Sequence, residues 1–175
     1  MRNVPSEPDY TELFAKMNKS HYGKLFKKYK NFLEAQLLEY WSDDLCRDFV
    51  VLVCPTWEDG KLIRTNQRGL LPITFRFKQC QRIIIENMFP DHIVKNPDMV
   101  NWGLNEFSII KVEEMGDGLF QFRMPWEGKI RKIEIQCYDL IIEVGDPIEL
   151  THEVKEKYGL YTPPGFMDSP DDLGF

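Results

Sequence analysis

The chain lacks the long apolar runs that mark membrane-spanning and secreted proteins. No uninterrupted apolar stretch approaches the ~20 residues that a membrane-spanning helix needs. The opening segment, MRNVPSEPDY, contains no apolar core of the kind found in secretory signals. We therefore expect a cytoplasmic protein that has no membrane partner.

Cysteine and histidine are scarce, which argues against a disulfide scaffold and against a zinc site. The three histidines are far apart, and none pairs with another histidine or a cysteine at ligand spacing. The four cysteines show no CxxC spacing, so we expect reduced and mostly buried thiols. They are Cys46, Cys54, Cys80 and Cys137. The sequence therefore predicts no metal site and no cofactor.

The common catalytic motifs are also missing. There is no GxSxG, GxGxxG or HExxH pattern and no phosphate-binding loop. Cys137 has apolar neighbours and nothing beside it that would lower its pKa. Asp139, Glu153 and Lys155 together have the residue types of a metal-dependent nuclease centre. Such a centre needs its acid and lysine on a strand, whereas Glu153 and Lys155 fall in a segment with the pattern of a helix. The sequence predicts no catalytic residue, and hence a protein that is not an enzyme.

The composition that remains is typical of one folded domain. The chain has 175 residues, of which 43% are hydrophobic and twelve are Phe. A chain of this size can bury roughly two thirds of the surface that it exposes when unfolded. The patterns divide it into a helical segment over 1–45, a β body over 46–146, and a short helix with an acidic tail over 147–175.

Helical periodicity marks the N-terminal segment. A first helix is predicted around YTELFAKM, and a longer one follows Ser20. The other side of this longer helix carries Lys24, Lys27, Lys28 and Lys30, which form either a solvated face or a site for phosphates or an acidic partner. Its apolar stripe consists of residues three and four apart: Tyr22, Leu25, Phe26, Tyr29, Phe32, Leu33, Leu37 and Tyr40.

From about Asp48 the pattern becomes that of strands. In ITFRFKQ, Ile73, Phe75 and Phe77 alternate with polar residues, and further such runs are joined by the short turns WEDGK, GDG and WEGK. We predict an α+β protein in which the N-terminal helices pack on a mostly antiparallel β-sandwich or half-open barrel. The connection over 87–105, which contains Trp102, is long enough to hold a binding loop.

Two segments of the β body resemble each other. QCQRIIIE at 79–86 matches QCYDLIIE at 136–143, and each follows a turn that contains Pro, Trp, Glu, Gly and Lys. One interpretation is a repeated hairpin unit that places Trp57 and Trp126 at equivalent turns, where they close the core or meet a partner. The match requires a one-residue slip in the alternation, which a β-bulge could absorb.

The acidic end of the chain resembles a known partner-binding tip. MDSPDDLGF is similar to the tips of bacterial single-stranded-DNA-binding proteins, in which acids and a terminal Phe dock into basic, apolar pockets of replication and repair proteins. The matching positions are Asp171, Asp172, Leu173 and Phe175. The resemblance implies that the acids steer the tip while the ring anchors it.

The strand patterns suggest a second resemblance. ITFRF..C..III and IEIQC.DLIIE have the general look of small bacterial immunity proteins that neutralise toxin domains. This implies a non-catalytic inhibitor whose acidic and aromatic surface blocks a basic toxin or nuclease domain. The residues expected to bind the partner are Trp57, Trp102, Trp126, Asp171, Asp172 and Phe175.

Two alternatives stay open. The first is a nucleic-acid-processing accessory protein that uses the acidic tip for partner proteins and Lys24, Lys27 and Lys28 for nucleic acid. The second is a phage or assembly subunit whose tail and N-terminal arm contact neighbouring subunits.

Overall fold

A computed structural model describes residues 8–43, 45, 47–63, 68–87, 106–126 and 131–158 of the chain. The expected binding residues Trp102, Asp171, Asp172 and Phe175 lie outside the described residues, as does Cys46. The helices are α1 (Thr11–Lys16), α2 (Ser20–Lys28) and α3 (His152–Tyr158), with a 3-10 turn at Lys30–Phe32. The strands are β1 (Gln36–Ser42), β2 (Phe49–Cys54), β3 (Trp57–Glu58), β4 (Lys61–Leu62), β5 (Ile73–Asn87), β6 (Lys111–Gly116), β7 (Leu119–Pro125) and β8 (Arg131–Val144).

Six strands form one antiparallel sheet in the order β1-β2-β5-β8-β7-β6, while β3 and β4 pair separately. This confirms the prediction of an α+β fold with mostly antiparallel strands. No pairing between β1 and β6 is found in the described part of the chain, so these strands do not close a barrel. The sandwich and the half-open barrel stay predictions.

The two central strands form a long ribbon that carries the other strands at opposite ends. β5 and β8 pair from Ile73 and Val144 at one end to Asn87 and Arg131 at the other. β2 pairs only with residues 73–77 of β5, and β7 pairs only with residues 132–137 of β8. The ribbon therefore joins two halves of the sheet that share no other strand.

A β-bulge interrupts the ribbon between these halves. The pairing shifts between Cys80 and Arg82, and Gln79 has a φ of 52°, in the left-handed region. In β8 the buried positions change from odd numbers, ending at Cys137, to even numbers, starting at Leu140. The one-residue slip expected from the sequence is thus present, and a bulge absorbs it.

Asp48 holds the bulge from the neighbouring strand. Its carboxylate forms an ion pair with Lys78 and accepts a hydrogen bond from the backbone N–H of Gln79 at 3.2 Å. Beside it, the N–H of Cys80 donates to the carbonyl of Arg47 at 2.6 Å. These bonds satisfy the backbone donors that a bulge removes from the regular ladder.

An aromatic layer joins the helices to the sheet. The ring of Phe26 on α2 lies 5.1 Å from that of Phe32, which in turn lies 4.9 Å from Phe75 on β5. Phe77 continues the layer to Phe122 on β7, at 5.1 Å. All five side chains are fully buried. Because these rings come from both halves of the sheet, the helices pack across the bulge.

The predicted long helix is wrong beyond Lys28. Residues 36–42, which include Leu37 and Tyr40, form edge strand β1 instead. Three consecutive residues from Lys30 to Phe32 have positive φ, which an α-helix does not allow. Asn31 is buried there and donates to the carbonyl of Pro8 at 2.9 Å. The apolar residues after Lys28 thus keep a helical spacing in the sequence, but the chain forms a turn there that contacts distant residues.

The two similar Gln-Cys segments pair with each other in the β5–β8 ribbon. Cys80 and Cys137 are direct partners across β5 and β8, so the two Gln-Cys segments are antiparallel neighbours. Their turns, however, are not equivalent. Trp57 lies in the separate β3–β4 ribbon, whereas Trp126 follows β7 and bridges to Phe107. The interpretation of two like hairpin units is therefore wrong at the turns.

A smaller apolar cluster lies on the other face of β1 and β2. Cys54 and Leu70 form its centre, and Leu38, Ile148, Leu150 and Tyr158 pack against them. α3 contributes Tyr158 to this cluster. Thr151 caps the helix, because its hydroxyl oxygen accepts the N–H of Val154 at 3.3 Å. Since Glu153 and Lys155 lie on this helix, they do not form the strand that a nuclease centre would require.

Replacing Tyr22 with Phe should destabilise the fold by about 1–3 kcal/mol, because it leaves a buried donor unpaired. The Tyr22 hydroxyl accepts the N–H of Ile142 at 2.9 Å, at a point where β8 extends past its pairing with β7. Urea unfolding followed by circular dichroism measures the change. Tyr138→Phe is the matched control, since Tyr138 is 45% exposed, and it should shift the unfolding free energy by less than about 0.5 kcal/mol.

Asp48→Asn should cost about 2 kcal/mol at pH 7 by removing a charged acceptor at the bulge. The hydrogen bond from Lys78 lowers the pKa of Asp48 in the folded protein. The carboxylate therefore stabilises the fold above its unfolded pKa of about 3.9, and this stabilisation disappears as the pH falls through the lower, folded pKa. The gap between wild type and variant should stay constant from pH 7 to about 5 and close at more acidic pH.

Unfolding titrations across this pH range test the effect. Asp117→Asn, in an exposed turn, provides the control and should produce no such gap. A gap for Asp48→Asn that is independent of pH would contradict the assignment.

Candidate protein-binding surface

Trp57 holds the β3–β4 hairpin against the end of α2. Its indole N–H donates to the carboxylate of Glu34 at 2.9 Å, and the ammonium of Lys30 lies 3.8 Å from the centre of its ring. The Thr56 hydroxyl donates to the backbone carbonyl of Glu34 at 2.5 Å. The side chain is half-buried. Trp57 therefore serves as an internal anchor, which leaves little of its ring for a partner.

The lysine face predicted on α2 is divided. The ammonium of Lys28 lies 2.8 Å from the carboxylate of Glu58, whose second partner is Arg68 at 2.7 Å. The hydrogen bond from Lys28 is the main reason that the pKa of Glu58 falls. Lys24 and Lys27 are exposed and do not share this pair. Only these two remain as an open basic patch on this helix.

Trp126 closes one end of the core. It is 5% exposed, its ring meets that of Phe107 at 4.8 Å, and the guanidinium of Arg131 lies 4.6 Å from its centre. The indole N–H finds no acceptor among the described residues. Of the two roles that the sequence left open for this residue, the structure places it in the core.

Two consecutive exposed aromatic residues lie elsewhere, on edge strand β1. Tyr40 and Trp41 are 40% and 41% exposed, and Leu45, in the turn that follows, is 68% exposed. Glu39 is also exposed. We call these four residues the β1 patch. The sequence interpretation missed it because Tyr40 was assigned to the buried stripe of a helix, and no local pattern marks Trp41 as exposed.

The strand geometry places the two rings on opposite faces of the sheet edge. Tyr40 pairs with Val51, and its ring lies 5.9 Å from that of Phe49, on the core side. Trp41 pairs with Val50 and lies on the other side, because successive side chains alternate. An added strand at this edge would touch one ring on each face.

The turn after β1 is fixed by Asp43. Its carboxylate accepts the N–H groups of Arg47 and Asp48 at 2.7 and 3.1 Å, and its own N–H donates to the carbonyl of Asp48 at 3.0 Å. Such bonds define the turn in the unbound protein. These bonds tie together the residues on either side of Leu45, and such preorganisation lowers the entropy that binding would cost.

The charge at the patch is mostly negative. Glu39 and Asp43 carry two acids, and Glu39 forms no ion pair with any described residue. Arg47 lies in the same turn, and the buried Arg131 interacts electrostatically with Tyr40. The chain as a whole has a net charge of −6. A partner with a basic surface would be attracted to this edge.

The described thiols are poorly suited to nucleophilic catalysis. Burial raises the pKa of Cys54 and of Cys80 to about 11 and raises that of Cys137 further. A thiol with a raised pKa carries little thiolate at neutral pH. No cluster of three or more His, Cys, Asp or Glu residues in the described ranges could hold a metal ion. None of the described helices has the length and apolar character to span a bilayer.

Comparison with known proteins identifies no family for this chain. No family model matches it, and neither does any curated protein. Among solved structures, an uncharacterized protein from Neisseria gonorrhoeae is similar, with 12% sequence identity and a TM-score of 0.43. The match covers 63% of this chain and 91% of that one. At this level it carries no argument about function.

Trp57→Phe should lower the free energy of unfolding by about 1–2 kcal/mol, since it removes the bond to Glu34 and weakens the cation–π contact with Lys30. Trp41→Phe is the matched control and should change it by less than about 0.5 kcal/mol, because its ring is exposed. Urea titration of both variants measures the difference. Equal losses would contradict the division between an anchoring and a surface indole.

Proposed function

We propose that this is a non-catalytic protein-binding protein, of the immunity-protein type, that neutralises a partner through the acidic and aromatic β1 patch. The observation that carries the proposal is the pair of consecutive aromatic residues, Tyr40 and Trp41, exposed on an edge strand. We also propose that the protein is cytoplasmic and that its sheet forms a half-open barrel. The β-bulge in the long ribbon supports the half-open barrel, because a bulge bends its strand.

The two edges of the sheet differ in a way that supports a binding role for β1. Natural sheets protect their edges with charges, and β6 follows this rule with Lys111, Glu113 and Glu114. β1 instead exposes two large rings beside its outer backbone groups. Tyr and Trp are enriched among the residues that dominate binding energy. An edge that displays them is therefore better suited to a partner than to water.

The charges favour a basic partner. Glu39 and Asp43 flank the rings, so they would steer a basic surface towards the edge and repel an acidic one. A toxin or nuclease domain that binds nucleic acid has such a basic surface at its active site. Covering that site with an acidic strand edge would inhibit the domain without any catalytic group.

The nucleic-acid alternative has less support. It used Lys24, Lys27 and Lys28, but Lys28 is engaged by Glu58 and only two lysines of the three stay available. Two exposed lysines neutralise few phosphates, and affinity for nucleic acid grows with that number. The acidic tip at Asp171, Asp172 and Phe175 remains a separate proposed contact for partner proteins.

Site-specific photo-crosslinking tests the proposal. A benzophenone amino acid at position 41 should capture one protein from lysate of the source cells, while the same probe at the exposed position 138 should not. The captured protein is then purified, and its affinity is measured by calorimetry. Trp41→Ala should weaken binding by about 30-fold or more, as expected for a residue at the centre of an interface.

A separate activity assay tests whether the protein inhibits its partner. The captured protein should possess a toxin or nuclease activity that falls to background at a 1:1 ratio with the wild type and recovers with Trp41→Ala. Equal capture from positions 41 and 138, or unchanged affinity after Trp41→Ala, would reject the β1 patch. Capture of a partner that has no activity to inhibit would reject the immunity role and keep the binding role.

A further inference from the structure

Two cysteines lie opposite each other at the centre of the sheet. Cys80 and Cys137 are direct Cα partners on β5 and β8. Cys137 is fully buried in the main core, and Cys80 is half-buried and packs against that core. Both thiols are free. Neither cysteine belongs to the β1 patch.

The pairing brings the two Cα atoms within reach of a disulfide. Cys80 donates its N–H to the carbonyl of Arg47, on the side away from β8. Direct partners in an antiparallel ladder have Cα atoms about 4.5 Å apart where they are not hydrogen-bonded to each other and about 5.5 Å apart where they are. Both values lie within the Cα range of about 4.4–6.8 Å that disulfides require.

We propose that Cys80 and Cys137 are a modification site that small-molecule disulfides, such as oxidised glutathione, convert to a cross-strand disulfide. Cys80 reacts first because it is the more accessible thiol. Its thiolate attacks one sulfur of the oxidant, which forms a mixed disulfide and releases one glutathione thiol. The Cys137 thiolate then attacks the Cys80 sulfur and releases the second. Two protein thiols lose two protons and two electrons, and one glutathione disulfide becomes two thiols.

The surroundings of Cys80 make this reaction slow and dependent on pH. Burial is the main reason that its pKa rises to about 11, and the carboxylates of Asp48 and Asp43 add to the rise while Lys78 opposes it. On β8, Asp139 likewise raises the pKa of Cys137. The thiolate is the attacking form, so the rate should increase about tenfold per pH unit between pH 7 and 10. The site is thus a thiol pair at neutral pH that responds to sustained oxidation.

Peptide mapping identifies the bond directly. The full-length protein is incubated with oxidised glutathione, its remaining thiols are alkylated in acid, and it is digested with trypsin without reduction. The four cysteines fall in four different tryptic peptides, and those of interest are 79–82 and 133–155. The expected product is a monomer in which these two peptides are linked. A linkage to Cys46 or Cys54, or a reaction that stops at glutathionylated Cys80 in the wild type, would overturn the proposal.

Variants separate the two steps. Cys137→Ala should stop at the mixed disulfide on Cys80, and Cys80→Ala should form no protein disulfide. Cys54→Ala is the matched control, because Cys54 is also buried with a pKa of about 11 but lies in the smaller cluster, and it should leave the reaction unchanged. Loss of the reaction in Cys54→Ala would count against the pair.

Wild-type protein alone provides a second test, which does not depend on how the variants fold. Closing the long loop between β5 and β8 should raise the Tm by roughly 10 °C, and dithiothreitol should reverse the shift. A lower Tm in the oxidised form would overturn the inference that the native fold holds the two sulfurs in bonding position.

Discussion

The bend in the β5–β8 ribbon is the feature on which the rest of the sheet depends. β2 joins this ribbon only at one end and β7 only at the other. Among the described residues, the two halves of the sheet therefore meet mainly through the ribbon, with a smaller link at residues 106 and 107, which bridge Gln36 and Trp126. The bulge at Gln79 changes which residues face inward, and a sheet without it would turn the buried set of one half towards solvent. Asp48 therefore binds the backbone at the place where the set of inward-facing residues changes.

The aromatic layer follows from this bend. Phe75 and Phe77 from one half and Phe122 from the other face the same space, which Phe26 and Phe32 fill from the helical side. Offset and edge-to-face ring contacts are directional as well as apolar, so they favour one arrangement of helices over the bulge. Tyr22 adds a polar link, since its hydroxyl covers a strand N–H that no strand reaches. Packing and hydrogen bonding thus support the same geometry.

The parts of the structure that the sequence predicts well are those with local signals. Ile73, Phe75 and Phe77 alternate because one face of β5 is buried, and the Asp-Gly turns have the residues that positive φ requires. β1 was missed because Leu37 and Tyr40 also fit a helical stripe, and the choice was made by pairing with β2. Likewise, the indoles of Trp57, Trp126 and Trp41 look alike in sequence. Trp57 is covered in part by Glu34, and Trp126 is buried against Phe107, both of them contacts between residues distant in sequence. Trp41 stays exposed.

The β1 patch and the thiol pair share one structural element, the turn that joins β1 to β2. Asp43 fixes this turn through Arg47 and Asp48, and those same two residues bind the backbone at Cys80 and Gln79. The residues on either side of Leu45 are therefore linked to the bulge by a few hydrogen bonds. A bond between Cys80 and Cys137 would restrict the bulge at its centre, and the turn would lose freedom with it. Because rigidity in a binding loop reduces the entropy lost on association, oxidation at the centre of the sheet should strengthen binding at its edge.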